Sequence, residues 1–308
     1  MGKKVAVFGS FVVDLMARAA HLPKPGETVK GSVFKLGAGG KGFNQGIAAH
    51  KAGADVAMIT KMGRDSFADV ALKAMDELSF SKEHLLYNEE VGTGSAIIMV
   101  DEKTSQNQII IVPGACSTIT AEEVDALRPL LEECEYVLLQ LEVNQDANER
   151  LVDLAVACGC KVILNTAPYQ PVSDEFLSKV YMVTPNEVEA EMMTGVPVDG
   201  LEAAKKAAKV FYDKGVKVVI ITLGGRGVFL SENGREEILP AFQVNAVDTT
   251  GAGDAFNGGL LTGLAEGMDL WTAARFANAL AALSVQKIGT TPSMPTRKEV
   301  DDFLAQHN

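Results

Sequence analysis

Short β-branched runs alternate with helical patterns along this chain, and that alternation admits few folds. Residues 56–60 are followed by a helical pattern over 66–78, residues 136–140 by one over 144–158, and a helical pattern over 201–214 leads into residues 218–222. Further strand-like runs lie at 5–8, 161–164 and 181–183. Strands joined through helices pair in parallel, and the helices then cover both faces of the sheet. Thr120-Ala-Glu-Glu123 and Thr296-Arg-Lys-Glu299 read as capping boxes that start helices near Ala121 and Arg297. The C-terminal third is helical over 253–266 and 270–286. The expected fold class is α/β, a mostly parallel sheet flanked by helices on both faces, and 308 residues at 47% apolar content suffice for its core.

Two segments break the rhythm. Residues 14–38 and 93–112 hold alternating stretches at 31–36, 94–100 and 108–112 with no helix between them. Chain-adjacent strands of this kind do not easily enter a buried parallel sheet, so they are expected to form a small antiparallel β-sheet lid over one edge. The core then comprises residues 1–13, 39–92 and 113–308, with the lid inserted at 14–38 and 93–112. Ligands of open α/β sheets bind beyond the carboxyl ends of the strands, where such a lid would close. Its apolar strands also suggest pairing with a second copy, a homodimer through the lid.

Composition removes several function classes. A net charge of −12 and a pI near 4.9 argue against a nucleic-acid or anionic-membrane partner, because phosphate surfaces reward clustered Lys and Arg. A polyphosphate ligand would need local help from a helix terminus, a placed cation such as Lys41 and a divalent metal. Cys116, Cys134, Cys158 and Cys160 suit neither a disulfide framework nor a zinc site, and a reducing, cytoplasmic location is the economical inference. His21, His50, His84 and His307 are not paired at ligand spacing, so zinc and Ser-His-Asp chemistry lack material. Lys3-Lys4 ahead of residues 5–13 and Ala17-Arg18-Ala19 superficially looks like a secretion signal. Gly9-Ser10 and Asp14 interrupt it, however, and residues 5–8 read better as a buried first strand; no apolar run is long enough to span a membrane.

Chemistry concentrates in Asp248-Thr249-Thr250-Gly251-Ala252-Gly253-Asp254-Ala255-Phe256. Phe256, Leu260, Leu261 and Leu264 recur at helical spacing, so residues 251–254 open a helix. The first N–H groups of a helix lack internal partners, and without a Cβ at Gly251 or Gly253 a ligand oxygen can approach them. Such an end, with its partial positive charge, is an anion site. Asp254 taken alone could be a helix cap, but a cap needs no Gly-Ala-Gly before it.

A second glycine cluster, Gly37-Ala38-Gly39-Gly40-Lys41-Gly42, precedes a helical pattern over 43–52 and matches G-x-G-x-x-G. The dinucleotide fingerprint follows the first buried strand of its unit, whereas this cluster follows lid strands, and Gly42 stands where a Walker loop requires Ser or Thr. It could be a hinge between lid and core. Lys41 and Asn44 beside Gly39-Gly40 also offer a cation, an amide and backbone groups to the hydroxyls of a polar ligand.

Taken together, Gly39-Gly40-Lys41-Gly42-Phe43-Asn44-Gln45 and Asp248-Thr249-Thr250-Gly251-Ala252-Gly253-Asp254 resemble the two signatures of the ribokinase-like (phosphofructokinase B) family of carbohydrate kinases, the first in its ribokinase-branch form. Gln140-Leu141-Glu142, Pro185-Asn186-Glu187-Val188-Glu189 and Ile221-Thr222-Leu223-Gly224-Gly225-Arg226-Gly227 match in order between them, so the resemblance covers nearly the whole chain. It implies an ATP-dependent kinase that moves the γ-phosphoryl of ATP to the 5-hydroxyl of a pentose, D-ribose or 2-deoxy-D-ribose. Asp254 would be the base, and Gly251, Ala252 and Gly253 the anion hole that such a transition state needs. The sugar would meet position Val12 together with Asp14, Gly40, Lys41, Asn44, Glu142 and Asp254. ATP would meet Asn186, Thr222, Gly224, Gly225, Gly227, Gly253 and Asn278. Asn186 and Glu189 would organise Mg2+ through its waters, and K+ would sit near Asp248, Thr250, Ser284, Lys287, Gly289 and Ser293. Without the resemblance, Asn186 and Glu189 read as a helix-start pair, residues 222–227 as a hairpin turn, Asn278 as a surface residue, and residues 289–293 as a turn.

One departure bears on the substrate. The family's ribokinases carry Asn two residues before the sugar-binding Asp, whereas this chain reads Gly9-Ser10-Phe11-Val12-Val13-Asp14. Val12 cannot hydrogen-bond, and a ribose hydroxyl left unpaired there costs roughly 1–3 kcal/mol. A sugar lacking that hydroxyl escapes the cost, so 2-deoxyribose is expected to compete with ribose. The alternatives are a kinase of another small carbohydrate or nucleoside on the same scaffold, a nicotinamide-dependent dehydrogenase built on residues 37–42, and a non-catalytic sugar-binding regulator.

Overall fold

Val5 and Val7 point to one side of the strand Lys4–Phe8 and Ala6 and Phe8 to the other, and all four are fully buried. A strand apolar on both faces belongs inside a sheet covered on both sides. In the computed structural model, which describes residues 2–104 and 106–307, that is where it lies. Among the described residues the large sheet has nine strands. In order they are Arg235–Leu239, Val228–Glu232, Val218–Thr222, Met182–Val183, Lys161–Leu164, Cys134–Leu139, Lys4–Phe8, Val56–Gly63 and Leu85–Asn88. The strands from Val218–Thr222 to Leu85–Asn88 pair in parallel, and the first two close the opposite edge as an antiparallel hairpin. Helices Lys41–Lys51, Ala68–Glu77, Ala252–Ala265, Leu270–Ser284 and Arg297–Gln306 pack on the Val5 face. Gln145–Ala157, Leu201–Asp213 and four shorter helices cover the Phe8 face.

Both capping boxes close as the sequence predicts, with the Thr120 and Thr296 hydroxyls accepting from the backbone N–H groups of Glu123 and Glu299. The edge hairpin was not predicted. Its turn is Asn233-Gly234, both at positive φ, and an Asn-Gly pair between two strand-like runs was the available signal. The strand Leu85–Asn88 and the helix Asp174–Lys179 were also missed, being too short to establish a period.

The interrupting segments form a separate four-stranded sheet in the order Gly31–Gly39, Val12–Ala19, Thr93–Asp101, Asn107–Gly114. The expectation of an antiparallel sheet needs correction. Its outer pairs are antiparallel, but the central pair, Val12–Ala19 with Thr93–Asp101, is parallel. Both central strands leave the core outward, one after Lys4–Phe8 and the other after Leu85–Asn88, and each hairpin partner returns. The strands also reach Val12, Gly39 and Gly114, slightly beyond the expected boundaries. No helix among the described residues is long and apolar enough to cross a membrane, and the four cysteines are unpaired.

Candidate active site

Gly251, at φ 79°, is the residue that turns the chain into helix Ala252–Ala265, a backbone state that favours glycine. Asp254 sits in the first turn and is 7% exposed. It is not the cap. Its Oδ2 accepts a hydrogen bond from Asn44 Nδ2 at 3.0 Å and its Oδ1 one from Gln45 Nε2 at 2.9 Å. Those amides arrive on helix Lys41–Lys51, whose start is pressed on the end of Lys4–Phe8. A Cβ at Gly42 would lie 2.6 Å from the Gly9 backbone, and Phe43 N donates to the Ser10 carbonyl at 2.9 Å. The glycine cluster is therefore both the joint between the sheets and a wall of the site.

Electrostatics here are dominated by burial. Desolvation pushes the Asp254 carboxyl above its ordinary range, opposed by the Lys41 ammonium and the Gln45 and Asn44 amides. Lys41 is held above its ordinary value, because Asp254, Glu142 and Glu189 together outweigh its own desolvation. Asp14, on the adjoining lid strand, is pushed up to about 6 by burial and by the charges of Glu142 and Asp254. Glu142 is fixed by the Ser10 hydroxyl and by Lys41 N at 2.8 Å. Val12 shares the face of its strand with Asp14, pairs with Gly39 and Gly94, and is 6% exposed.

Two cavities meet at this helix start. The polar one, about 190 Å3, is lined by Lys41, Asn186, Glu189, Gly251 and Asp254, with Asn165, Thr184 and Asn257 deeper in. The second, about 300 Å3, is mostly apolar; Gly224, Gly225, Gly227 and Asn278 line it with Phe242, Val244, Ala281 and Val285. Thr222, Thr249, Ala252 and Gly253 line both. Residues 224–226 do form the turn of a hairpin, and that turn is the rim of the apolar cavity.

Asn186 and Glu189 are a capping box on Glu187–Thr194, the bland reading of the pair, and they also face the polar cavity. Glu189 Oε1 accepts from Asn186 Nδ2 at 2.9 Å, and Oε2 from Asn186 N at 3.0 Å. Among the described residues no cluster of three or more His, Cys, Asp or Glu side chains is placed to hold a metal ion. Near the anion hole, Asp248 accepts from Thr250 N and Gly289 N, each at 3.0 Å. These bonds outweigh partial burial and hold its carboxyl below the ordinary range. The Ser284 and Ser293 hydroxyls donate to the carbonyls of Ala281 and Thr290, while the Lys287 ammonium turns away to Glu299 at 2.9 Å.

Residues 2–297 match the family described as pfkB family carbohydrate kinase. The chain belongs to the pfkB family of carbohydrate kinases. It is 41% identical to the ribokinase of Haemophilus influenzae over 304 residues, covering 99% of both chains. It is 35% identical to the deoxyribokinase of Salmonella typhi, covering 98% of both. Its fold superposes on the structure of Arabidopsis thaliana ribokinase complexed with ribose and ATP with a TM-score of 0.91, 30% identity and 99% coverage of both chains.

Within this carbohydrate kinase, sequence reasoning missed two groups of lining residues. One is the loop segment 241–246, which walls the apolar cavity and has no periodicity to announce it. The other is the polar set Asn165, Thr184 and Asn257. Asn257 was findable as a polar residue inside an otherwise apolar helix. The dinucleotide reading of residues 37–42 does not survive, because they end a strand of the small sheet and begin a helix on the sugar side of the site.

Proposed function

We propose that this chain transfers the γ-phosphoryl of ATP to the 5-hydroxyl of a pentose. The supporting observation is the position of buried Asp254 in the first turn of helix Ala252–Ala265, where an apolar and a polar cavity share four lining residues. The apolar cavity suits a nucleobase, and the shared residues suit phosphates. The polar end, with Asp14, Lys41, Asn44, Glu142 and Asp254, suits a polyol. In the reaction the 5-hydroxyl gives its proton to Asp254 and its oxygen forms a bond to the γ-phosphorus. The bond from that phosphorus to the bridging oxygen of ADP breaks, and ADP departs with the electron pair. The residue 251–253 N–H groups and Lys41 stabilise the charge on the transferring group. Asn186 and Glu189 would hold Mg2+ through water, and when bound the ion neutralises phosphate charge. The Asp248, Ser284, Gly289 and Ser293 loop would hold K+.

The small sheet acts in this reading as a lid. Its exposed Phe34, Ile109, Ile110, Ile111 and Val112 favour a homodimer through the lid. The unpaired cysteines fit a reducing, cytoplasmic setting. Val12 favours 2-deoxyribose, since it leaves the 2-hydroxyl of ribose without a partner. The test of the kinase reading is Asp254→Asn in an ATP-coupled assay over ribose, 2-deoxyribose, fructose and nucleosides, in potassium and in sodium. Retained sugar binding with loss of turnover is expected; unchanged turnover would refute it.

A further inference from the structure

Asp254 is gripped from two sides, and the Gln45 side has no counterpart among the residues that face a sugar. Gln45 is completely buried and donates from Nε2 to Asp254 Oδ1 at 2.9 Å and to Asn165 Oδ1 at 3.0 Å. Its own carbonyl accepts from Gln140 Nε2 at 2.7 Å. Asn165 Nδ2 in turn donates to the Thr184 main-chain carbonyl at 2.9 Å, and Asn148 Nδ2 donates to the Gln140 main-chain carbonyl at 2.9 Å. The chain of amides has one orientation, set by the Thr184 main-chain carbonyl, which can only accept: Asn165 must present its NH2 there and its Oδ1 to Gln45, so Gln45 turns its NH2 to Asn165 and Asp254. Gln140 Oε1 lies where a Cβ of Gly9 would be and is buried without a hydrogen-bond partner, so Gln140 enters the chain through its Nε2 alone. A fully buried glutamine on this helix is costly unless this bonding is the reason for it.

We propose that Gln45 is a positioning residue for phosphoryl transfer, an amide locked by Gln140 and Asn165 that fixes the Asp254 carboxylate and keeps it ionised. The inference rests on Asp254 being the base. Burial and Glu142 disfavour the charge on Asp254, while Lys41, Gln45 and Asn44 favour it; Asp14 faces the same cluster from the small sheet, and Glu189 faces Lys41. Asn44 also belongs to the sugar side and is itself held by the Thr291 hydroxyl at 3.2 Å, so its loss would disturb both binding and chemistry. Gln45 touches only the carboxylate and the amide chain.

The test is the Gln45→Leu enzyme, similar in shape but without the donor, with full pH profiles of kcat/KM for the pentose. A lost hydrogen bond to a charged group predicts a kcat lowered roughly 10- to 100-fold, with sugar KM within about threefold of wild type. The acid limb should move about 1 pH unit upward, because the ionised base has lost a stabilising donor. Gln140→Met, which unlocks the Gln45 amide without touching Asp254, should move the limb the same way by less. Circular dichroism and thermal melting identify a variant that has not folded, and the other variant then decides. An unmoved acid limb in a folded variant overturns the proposal, as does a change confined to KM. If Asp254→Asn abolishes turnover while Gln45→Leu leaves the limb in place, only this proposal fails; if Asp254→Asn turns over normally, the kinase reading fails first.

Discussion

Replacing Asp14 by Asn should make this protein more stable and a worse catalyst, and the stability gain should depend on pH. Asp14 is held on strand Val12–Ala19 against the site, and burial with the charges of Glu142 and Asp254 raises its carboxyl from 3.8 to about 6. A folded-state value above the unfolded one means that ionisation opposes folding. The group costs nothing below about pH 3.8, and its penalty grows as pH rises until it is complete above about 6. At 1.36 kcal/mol per pH unit, the full penalty is about 3 kcal/mol. Asn stays neutral and escapes it. At about 2.1 cal/mol/K of unfolding entropy per residue, a 308-residue chain should gain roughly 4–5 °C in Tm at pH 8, and about half as much at pH 5. The same substitution removes a charged acceptor from the sugar side, so KM for the pentose should rise roughly 10- to 100-fold. Differential scanning calorimetry at both pH values, with a coupled kinase assay, reads both effects. A stability change of equal size at pH 5 and pH 8, or a loss of stability at pH 8, would refute the reasoning.

The remaining expectations concern other parts of the molecule. Val12→Asn should raise kcat/KM for ribose relative to 2-deoxyribose by roughly 5- to 150-fold, the worth of one satisfied hydroxyl, and an unchanged ratio in steady-state kinetics would remove Val12 from specificity. Gly42→Ala drives a methyl into the Gly9 backbone at 2.6 Å and should cost more than about 3 kcal/mol, seen as a collapsed Tm or insoluble protein. Ile110→Lys, 57% exposed at the native residue, should leave folding intact and weaken self-association in light scattering. With burial pushing the Cys134 and Cys160 thiols up to about 12 and about 11, a chromogenic disulfide reagent at pH 8 should modify half-buried Cys158 first. The others should react only on unfolding.

How much was legible depended on distance along the chain. Helix and strand periods are local, so the parallel sheet, both capping boxes and the glycine-opened helix at residues 251–254 could be read directly. The chemistry of an anion site beside a carboxylate could be read there too, since a helix start and its fourth residue are neighbours in any fold. The Asn186 and Glu189 pair shows the limit: its local signal was that of a helix start, and only packing brought that start to the polar cavity. The small sheet shows it again, because the parallel pairing of Val12–Ala19 with Thr93–Asp101 depends on both strands leaving the core in one direction. Sequence alone thus determined the layers, the helix start and its carboxylate. Tertiary structure decided the pairing of Gln45 with Asp254 across 209 residues, the apolar wall at 241–246, and the raised Asp14. Hydrogen bonds between distant segments and the loss of water around a charge exist only once the sheet order has set which strand ends meet.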